Sequence, residues 1–453
     1  MTDHVQAAFT FPPGFLWGTA TAAHQVEGGN HNNWTAWEAL GGGRVYRDQV
    51  SGRACDWWNG RAEEDFDRAA SLNNNALRFS VEWSRIEPQP GRWDTDALDR
   101  YRQMVMALRA RRLEPLVTLH HFTNPIWLEE RGGWLDPETP RFFARYVERV
   151  VTALGDQVRL WCTINEPMVY AALSYLSGKW PPGHHNPLEV AAVMTHLVQG
   201  HAAAYHAIKR IAPEAQVGLA KHQISFRGDG IPPLGALGAS LLHRLFNEAF
   251  LRPFMDGWLR LPFRRAVPIP QARGALDWIG LQYYNRYTVR FNPLRPDMLF
   301  FEQYARRDVP HGPGDWGEFA PEDLLPRISH IYRLVRRPVY VTEAGVPDAD
   351  DSIRPGYLTR TLRAAWEACS HNYPLRGYFH WSLVDNFEWA EGYDPRYRFG
   401  LFGVDFETQE RTERRSARLY RAVAGANALS ADMARQYAPE ALAAVFPEPH
   451  TGW

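Results

Sequence analysis

Cysteine is scarce in this chain. Three thiols in 453 residues, Cys55, Cys162 and Cys369, are an odd number with no C-x-x-C spacing. They suggest neither a disulfide framework nor a zinc site and fit a reducing compartment, the cytoplasm. A charge imbalance is missing too: 50 Lys+Arg against 51 Asp+Glu leave a net charge of -1. Such a chain has no field for steering towards nucleic acid or an anionic bilayer, so both are excluded as main partners. No apolar run reaches the roughly 18 residues of a membrane-spanning helix. The opening MTDHVQAAFTFPPGFLWG has no basic stretch leading into a long apolar one, so no secretory leader is expected. No G-x-G-x-x-G follows a strand and opens a helix, which leaves no dinucleotide and no cofactor to expect. Linkers rich in Gly/Ser or Pro and short-period repeats are absent as well.

Aromatics are plentiful, with 18 Trp, 19 Tyr and 23 Phe. Most are expected in the core, but planes beside polar strand ends suit the C–H faces of sugars. Apolar β-rich runs alternate with helical patterns along the chain. The runs are FLWGTATA, ALRFSVEW, EPLVTLHHF, VRLWCTINE, QVGLAKHQIS, LDWIGLQYY, PVYVTEA and LRGYFHWSL. Between them, segments such as ALDRYRQMVMALRARR and RFFARYVERVVTALG carry apolar residues at helical spacing. Eight buried strands with intervening helices describe a single α/β domain, a (β/α)8 TIM barrel over 1–453 with 1–13 and about 430–453 as terminal extensions. The irregular stretches 28–58, 229–273 and 290–322 are expected to wall the barrel mouth, with Phe250–Leu261 helical.

Two of the apolar runs end in a glutamate: VRLWCTINEP closes on Glu166 and PVYVTEAG on Glu343. A glutamate after a strand is ordinarily a solvated loop charge. Here Asn165 precedes Glu166, Arg78 ends another apolar run, and HWSLVDNFEW adds indoles and carboxylates at a further strand end. Carboxylates on different strand ends of one barrel rim can form the pair that acetal hydrolysis requires.

The strings FLWGTATAAHQVEGG, LRFSVEWSRIEP, TLHHFTNP, WCTINEP, IGLQYYN, YVTEAG, HWSLVDNFEWAEGY and RFGLFGVDF keep their order from Phe15 to Asp405. Together they resemble glycoside hydrolase family 1, the β-glycosidases. The resemblance implies a retaining exo-β-glycosidase, cofactor-free and metal-free, that removes terminal β-D-glucosyl units and accepts β-galactosides and β-fucosides. It makes Glu166 the acid/base and Glu343 the nucleophile, with carboxyls about 5–5.5 Å apart for retention. Arg78 and Tyr284 would keep Glu343 ionised, whereas Glu166 has no cationic neighbour visible in the sequence and would carry the proton. Gln25, His121, Asn165, Glu388 and Trp389 match the family's sugar-binding positions. Trp381 would form a platform, Asn165 would bond the 2-hydroxyl and Phe399 would line the wall. A carboxylate at Glu388 opposes a phosphorylated sugar.

The chain departs from the family pattern at Ala344, Gln282, His24 and Phe122, which bears on the aglycone side and on sugar preference rather than on the carboxylates. The pairs His120-His121 and His184-His185 invite a metal reading, but neighbours on a strand face opposite ways and no acidic ligand completes a set. A sugar-binding protein that has lost its chemistry is the alternative of another class; such relatives lack one of the glutamates, and both are here. The same glycosyl intermediate can also pass to an alcohol or sugar acceptor. Oligomeric state and natural aglycone are not legible in the sequence.

Overall fold

A computed structural model of the protein describes residues 7–262, 264–295 and 300–447. Eight parallel strands close into a barrel in simple chain order: β1 Leu16–Ala20, β2 Ala76–Ser80, β3 Glu114–His120, β4 Leu160–Asn165, β5 Gln216–His222, β6 Trp278–Tyr283, β7 Val339–Ala344 and β8 Leu375–Trp381. Their central residues are buried on both faces, which is why they read as continuous apolar runs rather than as alternating ones. Each expected run contains one of these strands.

The main crossover helices follow from apolar spacing. Helices α1 Thr95–Ala110, α2 Thr139–Leu154 and α3 Pro187–Ile211 follow β2, β3 and β4. In α2, Phe143, Tyr146, Val147, Val150, Val151 and Leu154 are buried at i, i+3, i+4 spacing. Each such side chain contributes on the order of 1.5–3 kcal/mol on leaving water. The start of α1 is set by Asp94, whose carboxylate accepts the Ala97 N–H at 2.9 Å.

Between β5 and β6 the chain forms helix α4, Leu234–Leu242, where an irregular wall was expected. The expected Phe250–Leu261 helix reduces to the turn Pro253–Asp256, followed by Trp258–Leu259, which pairs with Val267–Pro268. The physical reason is composition: Pro253 and Gly257 bracket that turn, and Gly257 sits at φ 81°. A small sheet of Ser225–Gly228, Arg286–Phe291 and Phe301–Tyr304 stands beside the mouth. Helix α5, Arg354–Ser370, follows β7.

The ends of the described chain are tied together. Ala8–Thr10 pairs antiparallel with Ala428–Ser430, and the Phe9 ring stacks on Phe446 at 4.6 Å. Trp17 of β1 donates its indole N–H to Asn427 at 2.9 Å. Residues 1–6 and 448–453 of the expected extensions lie outside the described residues. Among the described residues, no helix is long and apolar enough to cross a membrane.

Candidate active site

The C-terminal ends of the strands carry the polar residues, as the direction of a (β/α)8 barrel requires. Arg78 lies in β2, Asn165 ends β4, His222 ends β5 and Trp381 ends β8; Glu343 is the penultimate residue of β7. Register slips interrupt the ladder between Cys162 and Asn165 and between Leu281 and Gln282, beside the residues that face the mouth. Glu166 follows β4 in the left-handed region (φ 42°, ψ 57°), and Pro167 begins a short helix directly after it. A non-glycine residue there stores on the order of 1–3 kcal/mol, held in place by its surroundings. One of those constraints is the Glu166 N–H, which donates to the Ala220 carbonyl at 2.9 Å.

Glu343 is buried and receives two side-chain donors. Arg78 donates to Oε1, and the Tyr284 hydroxyl donates to Oε2 at 2.5 Å. The same guanidinium donates to Asn165 Oδ1 at 2.5 Å, and Gln282 donates to that oxygen at 2.8 Å. The Asn165 amide meets His121 Nε2 at 3.0 Å. Burial, then the Arg78 charge, hold the His121 imidazole well below its usual pKa, so it acts as a neutral ring.

Burial pushes the Glu343 carboxyl up to about 7, opposed by Arg78 and Tyr284 and reinforced by the Glu166 charge. Arg78 and Tyr284 act in the expected direction, favouring the ionised form, and oppose the desolvation of Glu343. The surroundings of Glu166 also differ from expectation. His222 Nδ1 stands 3.1 Å from Glu166 Oε1, and the buried Lys221 is close enough to feel the same carboxylate.

On the opposite side of the mouth, Gln25 donates to Glu388 Oε2 at 3.2 Å and to the Phe387 carbonyl at 2.9 Å. Burial, then the Glu391 and Glu343 charges, hold the Glu388 carboxyl well above the usual range. Trp389 packs among His24, Trp34, Phe122 and Trp180, with ring centroids at 5.6, 4.9, 5.1 and 5.7 Å. His24 is fixed by Glu38 at 2.8 Å and Asn32 at 3.2 Å, so this departure from the family pattern buttresses Trp389. Trp381 and Trp389 lie 6.2 and 5.9 Å from the His121 ring. Phe399 packs 6.3 Å from Tyr284. Gln25 Oε1, His121 Nδ1 and Gln282 Oε1 are buried without a hydrogen-bond partner among the described residues. Gly345, just past Glu343, admits no side chain, because a Cβ there would strike the Trp381 carbonyl.

The residues named from the sequence therefore form one connected site. Gln282, known from the sequence only as a departure, proves to be a direct partner of Asn165. His222 and Lys221 were missed, and the available signal was two basic residues closing an otherwise apolar strand.

Outside the site, His120 and His184 have structural partners. His120 is buried, bonded to Asn124 at 3.1 Å and Trp134 at 3.2 Å, and burial lowers it to about 4. His184 pairs with Glu189 at 2.7 Å. Among the described residues, one His/Glu cluster has metal-like spacing: His243, Glu248 and His330. His243 Nδ1 faces the donors Asn247 at 2.9 Å and Arg327 at 3.1 Å, which puts the ring proton on Nε2, the atom aimed at His330. That tautomer opposes metal ligation through His243.

A (β/α)8 barrel with paired carboxylates, neutral histidine, amides and indoles at its mouth defines a glycosidase. Comparison with known proteins agrees. Residues 7–257 and 261–429 match glycosyl hydrolase family 1. The chain is 32% identical to β-glucosidase A of Thermotoga maritima over 92% of this chain and 98% of that one. It is 31% identical to a β-galactosidase of Pyrococcus woesei, covering 93% and 98% of the two chains. The solved β-glycosidase of Pyrococcus horikoshii superposes with a TM-score of 0.88 at 33% identity, covering 98% and 99%. The chain belongs to glycosyl hydrolase family 1, whose members are retaining glycosidases.

Proposed function

We propose that this enzyme removes terminal, non-reducing β-D-glucosyl residues and also accepts β-galactosides and β-fucosides, with Glu343 as nucleophile and Glu166 as acid/base. The observation that carries the assignment is the pair of donors on Glu343. Arg78 and Tyr284 favour negative charge on that carboxylate, so it attacks the anomeric carbon while Glu166 protonates the leaving oxygen. In the second half, water attacks the glycosyl ester, gives its proton to Glu166, and Glu343 leaves with inversion of the first inversion. An acceptor alcohol can replace that water and yield a transglycosylation product.

Gln25, His121, Asn165, Glu388, Trp389 and Trp381 read the sugar, with Phe399 behind Tyr284. The named relatives include both a β-glucosidase and a β-galactosidase, which supports a site tolerant of hydroxyl orientation. The three unpaired cysteines support a cytoplasmic location. Among the described residues, a large apolar cluster that runs in sequence from Phe11 to Val445 supports a single catalytic domain.

The test is Glu343→Ala. Turnover of an aryl β-glucoside should fall on the order of 10⁴-fold or more, the scale of losing a catalytic nucleophile. Added azide should restore turnover and yield the α-glycosyl azide. A variant with near wild-type rates would overturn the assignment.

A further inference from the structure

We infer that His222 is a positioning residue for the acid/base: its Nδ1–H donates to Glu166 Oε1, which confines the catalytic proton to Oε2. The inference rests on the assignment of Glu166 given above. Its first support is geometry. The Glu166 N–H is anchored to the Ala220 carbonyl of β5, and His222, two residues on, projects from the same face of that strand. Its Nδ1 reaches Oε1 at 3.1 Å. The ring is held between Tyr284, at 5.6 Å, and Phe246, at 5.8 Å.

The second support is the tautomer. His222 Nε2 is buried and has no hydrogen-bond partner among the described residues. A proton there would leave a buried donor unsatisfied and would set the Nδ1 lone pair against a carboxyl oxygen. A proton on Nδ1 satisfies the donor and leaves only an unfilled acceptor. Oε1 is then committed to accepting, and the acid proton resides on Oε2.

The consequence covers both half-reactions. In the first, Oε2–H passes its proton to the glycosidic oxygen as the C–O bond to the aglycone breaks, and His222 stabilises the carboxylate that remains. In the second, water gives a proton back to Oε2 as the ester bond to Glu343 breaks. His222 keeps its own proton throughout.

Several ionisable groups surround this contact. Glu166 faces it from the end of β4, and Tyr284, bonded to Glu343 of β7, faces it from the end of β6. Lys221 of the same strand turns its ammonium to the His222 carbonyl and lies 4.3 Å from the Phe246 ring centroid. His243 feels the charge of Lys221. Burial lowers Lys221 to about 7, so its titration can move the same limb of a pH profile.

The experiment compares His222→Phe, which has no donor, with His222→Gln, which restores an N–H. The pH dependence of kcat/KM is measured on an alkyl β-glucoside, which needs leaving-group protonation, and on 2,4-dinitrophenyl β-glucoside, which does not. Loss of a donor to a carboxylate favours the protonated acid. The alkaline limb of His222→Phe should therefore rise by about one pH unit, in the Lys221→Met background as well. The alkyl glucoside should lose roughly 10-fold more activity than the dinitrophenyl one, and His222→Gln should recover most of both effects. An unmoved limb, or equal losses on both substrates, overturns the inference.

Glu166→Ala separates the two layers of the argument. If it lacks the leaving-group-selective loss, the acid/base assignment itself fails. If it has that loss and His222→Phe does not, only the role of His222 fails.

Discussion

The Tyr284 hydroxyl donates to Glu343 Oε2 at 2.5 Å, so the carboxylate receives a neutral donor on one oxygen and the Arg78 guanidinium on the other. Burial, then the Glu343 charge, hold the Tyr284 phenol well above its usual pKa and keep it a donor over the working range. The two donors do different work. Arg78 also bonds Asn165, so it sets the geometry between two strand ends, whereas Tyr284 acts on Glu343 alone among side-chain acceptors.

Removing only the phenolic donor isolates its effect. Tyr284→Phe should lower kcat/KM by roughly 10- to 100-fold, corresponding to the 1.5–3 kcal/mol of a hydrogen bond to a charged group. The sign on pH follows from the same bond. Glu343, already raised to about 7, must be ionised to attack, so activity is lost as pH falls through that value. Without Tyr284 the carboxyl rises further and the acid limb moves to higher pH. A limb that stays in place or moves down would contradict the role given to this hydroxyl.

The raised Glu343 carboxyl also has a stability consequence. Its folded value of about 7 lies above the ordinary 4.5, so the folded protein binds this proton more tightly than the unfolded chain. Stability from this group is full below about 4.5 and is lost as pH rises through about 7. Glu343→Gln mimics the neutral acid. At pH 8 it should be more stable than the parent by on the order of 1–3 kcal/mol, and the gap should close towards pH 5. Denaturant titrations at the two pH values check this, and a difference independent of pH would refute it.

The barrel was legible because its strands are buried on both faces and its long helices repeat apolar residues with a helical period. Helix α4 was not, since LGALGASLL has no polar face and two glycines. The fold explains them: a Cβ at Gly235 would strike the Asp229 backbone, and one at Gly238 the Phe301 ring. The carboxylates and Arg78 were readable as polar residues closing apolar runs. Which side chain faces Glu166 was not, because His222 is separated from it by 56 residues and meets it only through the pairing of β4 with β5. Gln282 was likewise invisible as a partner of Asn165, 117 residues away.

Sugar preference is testable at Glu388. Gln25 donates to this carboxyl, which is held well above the usual range by burial and by the Glu391 and Glu343 charges. Glu388→Ala should reduce kcat/KM on aryl β-glucoside about 10- to 100-fold, the scale of a hydrogen bond to a charged or strongly polar group. The β-fucoside, which lacks the 6-hydroxyl, should lose less, so the glucoside-to-fucoside ratio falls. Equal losses on glucoside, galactoside and fucoside would remove Glu388 from sugar discrimination.

Asp65 provides a test of the scaffold away from the mouth. Its carboxylate is fully buried and accepts from Trp57 Nε1 at 2.7 Å, Arg68 at 2.7 Å and the equally buried Arg411 at 3.1 Å. Arg411 also donates to the Cys55 carbonyl at 2.7 Å, so this pair ties the loop after β1 to the C-terminal hairpin. Asp65→Ala leaves a buried guanidinium without its counter-charge and should destabilise the fold by about 3–5 kcal/mol. Asp65→Ala combined with Arg411→Met removes both charges and should recover much of that loss, since it is the uncompensated cation that is costly. Thermal unfolding of the single and double variants decides the point: a double variant no more stable than Asp65→Ala would mean that the hydrogen bonds to Trp57 and Cys55, rather than the charge pairing, hold this corner.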